Sequence, residues 1–194
     1  MIKLTYFGHS SYLVEINDTK ILFDPFISPN SKASKIDVSS IKADYVLLSH
    51  GHEDHVADAE SITKANNAML VSNYEIAVWF AQKGVEKYHP MNIGGSKVFD
   101  FGRVKYVNAV HSSTLPDGAS GGNPGGFVIK HDSGCFYYAG DTALTYDMKL
   151  IAEEFKIDFA ILPIGDNFTM DIQDAIKAAD FVGTKKIVGM HYNT

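Results

Sequence analysis

The segment "LLSHGHEDHVAD", residues 47 to 58, sets three histidines and three acidic residues at the end of the apolar run "DYVLLS". Imidazole and carboxylate groups are costly to bury without partners, so a chain that folds this cluster against a hydrophobic strand must give their lone pairs an outlet. A metal ion is the obvious one. His50, His52, Asp54 and His55 form the pattern H-x-H-x-D-H. No two of these histidines lie four apart on a helix face, unlike the zinc-binding pair of H-E-x-x-H, so the ligands come from a loop. Alternate residues of an extended segment point the same way, which lets His50 and His52 face one metal while the turn at Asp54 and His55 swings toward a second. A solvated polar loop is the competing reading; it explains one histidine and some acids, not the whole pattern.

The rest of the chain supplies a scaffold. "IKLTYF", "YLVEI" and "KILFDP" read as a strand meander, residues 28 to 43 as a polar loop, and "DYVLLS" as a buried strand. A helix around residues 57 to 65, the strand "AMLVS" and the helix "YEIAVWFAQKG", capped by Gly84, follow. The second half repeats the rhythm. Strands "SKVFDF", "VKYVNAV", "GFVIKH" and "CFYYAGD" precede a helix in "YDMKLIAEEF", the strand "DFAILPI", a helix with Ile172, Ala175, Ile176 and Ala179 at helical spacing, and the strand "KKIVGM". Strands then helix, twice over, predict two similar halves with sheets inside and helices outside. No linker separates them, so residues 1 to 194 read as one domain, and the stop at "GMHYNT" directly after a strand-like run suggests a chain cut short of its natural end.

Composition removes several functions. A chain of 194 residues supports a real core, burying roughly 70% of the surface its unfolded form exposes. With 17 basic against 23 acidic residues and Arg103 as the only arginine, extended nucleic acid is an unsuitable partner. Cys135 stands alone, which excludes an internal disulfide framework and reads as a small buried hydrophobe. No run approaches transmembrane length and the N-terminus lacks a leader pattern, so the expected location is cytoplasmic, without membrane contact.

With its H-x-H-x-D-H loop unbroken, the chain resembles the metallo-β-lactamase-fold superfamily of hydrolases. In that family three further ligands follow on separate strand ends, and His111 after "VKYVNAV", Asp141 ending "CFYYAGD" and His191 after "KKIVGM" match those places. The resemblance implies a four-layer αββα sandwich. It also implies two divalent ions, with zinc favoured and manganese or iron as alternatives: His50, His52 and His111 would hold one, Asp54, His55 and His191 the other, and Asp141 would bridge. "TYFGHSSYLVE", "LFDP", "AGDT" and "IGDNFTM" narrow the resemblance to the small metal-dependent hydrolases related to ascorbate-phosphate lactonase.

Other residues carry two readings each. His9 is either a pocket residue, as in the resembling branch, or a turn histidine bonded to backbone. Asp24 either orients a ligand loop or is a turn carboxylate before Pro25. His89 and His131 read as surface residues. "LPDGASGGNPGG" lacks the ending of a phosphate-binding loop and reads as a mobile loop beside His111, a candidate pocket wall over residues 112 to 125. Thr169 or Asp171 could cap the following helix, and Asn167 either faces the site or belongs to that capping turn.

A bound metal lowers the pKa of water from about 15.7 toward 7, so the implied chemistry is hydrolysis by a metal-bound hydroxide. Asp54 would ligate and orient that hydroxide, with His9 as the proton donor to the leaving group. The expected substrate is a small, anionic ester, lactone or phosphoester. A nuclease or phosphodiesterase of the same fold, and a non-catalytic metal-binding sensor, are the alternatives. Homo-oligomerisation stays open.

Overall fold

The computed structural model describes residues 1–193 and contains two six-stranded mixed sheets. In the first, β1 (Ile2–Gly8), β2 (Ser11–Ile16) and β3 (Thr19–Phe23) form an antiparallel meander, to which β4 (Tyr45–Leu47), β5 (Met69–Asn73) and β6 (Tyr88–Met91) add in parallel. The second sheet mirrors it. Strands β7 (Ser96–Phe99), β8 (Gly102–Asn108), β9 (Gly125–His131) and β10 (Gly134–Tyr138) are antiparallel, and β11 (Phe159–Pro163) and β12 (Ile187–Met190) extend them in parallel.

Parallel neighbours require crossovers. Helices α1 (Glu53–Val56) and α2 (Ala59–Asn66) join β4 to β5, α3 (Tyr74–Gln82) joins β5 to β6, α4 (Met148–Glu154) joins β10 to β11, and α5 (Ile172–Phe181) joins β11 to β12. Side-chain alternation assigns the layers. On β3, Ile21 and Phe23 enter the core shared with Val104, Phe127 and Phe136 of the second sheet, while Leu22 joins Val46, Leu70, Ile76 and Phe80 beneath the helices. The α/β sandwich expected from the sequence is therefore present, with two similar halves.

Local chemistry sets the element ends. Asn73 caps α3 by accepting from the Ile76 amide at 2.9 Å, and Gly84, at φ +89°, closes it while the Val85 amide reaches back to the Phe80 carbonyl. Asp171, one of the two candidate caps, accepts from the Asp174 amide at the start of α5.

Three elements differ from expectation. Residues 28 to 43 are not a plain loop but carry two 3-10 turns, Ser31–Ala33 and Val38–Ser40, each seated by an Asn30 or Asp37 cap. Strand β6 went unforeseen because "YHPM" contains a proline; it sits at the sheet edge, where proline is tolerated, and makes His89 a half-buried strand residue against Phe99. On α5 the buried stripe is Ala175, Ala178 and Ala179, whereas Ile172 and Ile176 are exposed, because small residues let the helix approach the sheet closely. No helix among the described residues is long and apolar enough to cross a membrane.

Candidate metal centre

The site lies on the seam between the sheets, where strands from both end. The His191 amide donates to the His9 carbonyl at 2.9 Å, and the Gly125 amide to the Ser49 carbonyl at 3.0 Å. Buried tyrosines add cross-sheet bonds: Tyr138 to the Ser10 carbonyl, Tyr106 to the Ser49 carbonyl and Tyr12 to the Gly189 carbonyl. His9, Asp24 and His191 all adopt left-handed backbone, at φ +53°, +40° and +53°. Such conformations cost non-glycine residues of order 1 kcal/mol each and persist where surrounding contacts over-determine them.

Every residue of the H-x-H-x-D-H loop and each of the three later candidates reaches this seam. His50 and His52 follow β4, His52 in extended backbone, and α1 then turns Asp54 and His55 toward the same place. Nitrogens of His50, His52 and His111 converge within 4.8 Å of one another, and donor atoms of His9, Asp54, His55 and His191 form a second such set. Between the sets stands Asp141, whose Oδ2 lies 3.0 Å from His191 Nε2, 3.3 Å from His55 Nε2 and 3.7 Å from His111 Nε2. A third convergence, Asp24 with His50 and His55, is better read as a brace. Asp24 is fully buried and already accepts from the Ser49 amide, the Ser49 hydroxyl and Tyr138, and it holds His55 Nδ1 at 2.8 Å. Asp24 therefore sits behind the donors and fixes which His55 nitrogen faces forward.

Two observations favour a cation here. His55 Nε2 and Asp141 Oδ1 are buried without hydrogen-bond partners, which folded chains rarely permit. The protonation pattern also suits ligation. Burial holds His50, His52 and His111 below the ordinary imidazole range, so all three present the neutral form a metal requires. In the other set burial opposes charge but the carboxylates outweigh it. Asp141 and Asp24 push His55 well above its usual value, and Asp141 and Asp54 raise His191 to about 9. Asp54 is held far below the carboxylate range by His191 and His9, and Asp141 by His55 and His191, in both cases against burial. A cation bound beside these carboxylates competes with the histidine protons.

His9, predicted as a pocket residue, is buried and places Nε2 2.9 Å from Asp54 Oδ2. It lines a cavity of about 710 Å³ together with His52, Asp54, His111, Asp141 and His191. The remaining walls were not read from the sequence: Phe26 follows the run "KILFDP", Asn30 and Lys32 come from the segment taken as a polar loop, and Phe168 from the turn before α5. Of the glycine-rich loop only Ser112 reaches the cavity. The rest is pinned against α3 by Trp79 Nε1 to Asp117, Asn73 to the Gly121 carbonyl and the buried Leu115, which does not match a mobile wall. Asn167 is exposed and does not line the cavity, while its neighbour Phe168 does.

A family model described as a beta-lactamase superfamily domain matches residues 3–191. The chain belongs to that superfamily. A protein of Flavobacterium johnsoniae named "UPF0173 metal-dependent hydrolase" is 57% identical over 193 residues, covering 100% of this chain and 85% of the relative. A protein of the same name from Christiangramia forsetii is 54% identical over 194 residues, again with 100% and 85% covered. Among solved structures, Igni18, a metallo hydrolase from the archaeon Ignicoccus hospitalis, matches with a TM-score of 0.86 at 37% identity, over 99% of this chain and 83% of that one. The two donor sets that converge across the seam give this chain a candidate metal centre.

Proposed function

We propose that this chain is a metal-dependent hydrolase with a binuclear centre, acting on small esters, lactones or phosphoesters. The observation that carries the reading is the pair of converging donor sets at the floor of an open cavity. His50, His52 and His111 would hold one ion, Asp54, His55 and His191 the second, and Asp141 would lie between them. Zinc suits this mixture of imidazole and carboxylate, with manganese or iron as alternatives. Bound there, a divalent ion makes water acidic and polarises the oxygen of the scissile group.

The chain's own residues would do the rest. Asp54 Oδ2 would orient the attacking water, and His9 Nε2, 2.9 Å from that oxygen, lies in place to carry the water's proton toward the leaving group. Water is thereby divided, hydroxyl to the electrophilic carbon or phosphorus and proton to the departing oxygen. The acidic balance of 17 basic against 23 acidic residues disfavours long polyanions and leaves small substrates.

Elemental analysis after exhaustive dialysis, with turnover of a panel of chromogenic esters, lactones and phosphodiesters, tests the reading. Close to two ions per chain and hydrolysis of one class are expected. Asp54→Asn should lower kcat by about a hundredfold or more and weaken metal retention while circular dichroism stays native, since even groups behind a ligand are worth about 10–100-fold. A chain that takes up no zinc, manganese or iron refutes the proposal.

A further inference from the structure

Behind the cavity floor the two donor sets share a support. Asp24 Oδ2 lies 2.8 Å from His55 Nδ1 and accepts from the Ser49 hydroxyl at 2.5 Å, and Ser49 Oγ in turn stands 2.9 Å from His50 Nδ1. Asp24, Ser49, His50 and His55 are all buried, and the two imidazole rings lie 4.1 Å apart between centroids. One carboxylate oxygen thus reaches a histidine of each set, directly in one case and through a hydroxyl in the other.

Proton supply sets the direction of each bond. A serine hydroxyl has one proton to give and an ionised carboxylate has none. Asp24 also accepts from the Ser49 amide and from Tyr138, so the Ser49 proton belongs on the bond to Asp24. Ser49 Oγ then offers His50 only lone pairs, and the contact with His50 Nδ1 requires the proton on that nitrogen. A neutral imidazole carries one proton, which leaves the lone pair on Nε2, 3.0 Å from His52 Nδ1. In the other set His55 gives its Nδ1 proton to Asp24 and turns forward Nε2, which is buried without a partner.

We infer that Ser49 is a positioning residue: its hydroxyl carries the hold of Asp24 across to His50, keeps the His50 proton on Nδ1 and readies Nε2 for the ion of the His50, His52 and His111 set. A single buried carboxylate then sets one ligand for each ion. This role deepens the binuclear reading and rests on it for the presence of that ion. Ser49→Ala would leave His50 Nδ1 without an acceptor and free its proton to move to Nε2, the form that cannot ligate there. His55 would keep its bond to Asp24.

Ring-nitrogen NMR of the full chain with isotope-labelled histidine, joined to dialysis against graded chelator, tests it with zinc as the probe. In the wild type the His50 proton should be found on Nδ1, both with zinc bound and after it is stripped. In Ser49→Ala the ion of the His50 set should be held roughly 10–100-fold more weakly, the range for groups behind a ligand. Graded chelator should then leave a plateau near one zinc per chain, with His55 and His191 still showing the bound signature and circular dichroism native. A wild-type His50 proton on Nε2 overturns the role without any variant. A Ser49→Ala chain that keeps both ions as tightly as the wild type, or loses both together, overturns it too. A wild type that takes up no metal would refute the binuclear reading while the ring proton still decides the part played by Ser49. Two bound ions with the His50 proton on Nε2 would do the reverse.

Discussion

Asp24 shows how one residue behind a site governs those in front of it. Its carboxylate takes three hydrogen bonds, from the Ser49 amide, the Ser49 hydroxyl and Tyr138, and pairs with His55 Nδ1, all out of solvent. Asp24→Asn retains the shape but replaces an acceptor oxygen with a donor and removes the charge opposite His55. Removing one partner of a buried pair costs about 3–5 kcal/mol, and loosening a ligand from behind lowers metal affinity about 10–100-fold. Denaturant titration and metal titration of the variant should show both effects; loss of stability with unchanged affinity would mean that Asp24 serves the fold alone. The sequence announced the metal-binding loop because four of its candidate ligands fall within six consecutive residues, His50 to His55. His111, Asp141 and His191 were visible only as titratable residues after apolar runs, through the family resemblance. Lys32 and Phe168 carry no local signal at all: their meeting over one cavity is a product of tertiary packing between segments far apart in the chain.

At the scale of elements, the turn after β10 decides where Asp141 stands. Gly140 holds φ +62°, and a Cβ there would lie 2.6 Å from Ser49 Cβ and 3.0 Å from the Gly125 carbonyl oxygen. Gly140→Ala therefore combines left-handed strain of about 1–2 kcal/mol with overpacking of about 1–3 kcal/mol, and pushes on the serine that braces Asp24. A fall in unfolding free energy of about 2–5 kcal/mol, with weaker metal uptake, is expected from chemical denaturation and dialysis. An equally stable variant would show that the turn relaxes freely. Strands were the most legible elements because alternation on β3 sends Ile21 and Phe23 to one core and Leu22 to the other. Periodicity failed on α5, where helical spacing identified the helix but not its buried face, since alanines and isoleucines share the pattern and only packing distance chooses between them.

For the whole molecule, the donors come from both sheets: His50, His52, Asp54 and His55 from the first half, His111, Asp141 and His191 from the second. A metal that binds only when both are in place stabilises the folded state by mass action, about 2.7 kcal/mol at one hundred times its dissociation constant. At about 2–4 °C per kcal/mol for a chain of this size, Tm should rise by roughly 5–10 °C with added zinc, climb further with concentration and fall again with chelator. A Tm indifferent to metal would separate the centre from the fold. Among the described residues the chain also passes from one sheet to the other only once, between β6 and β7, through residues 92 to 95. In that passage Gly94 has open space around it. This short tether makes the protein, in engineering terms, a divisible one. Fragments 1–93 and 94–194, produced together, should find each other through their common core, with metal as the adhesive that tightens the pair. Co-purification that strengthens with zinc and weakens with chelator would turn the centre into a switch for joining two separately delivered half-chains.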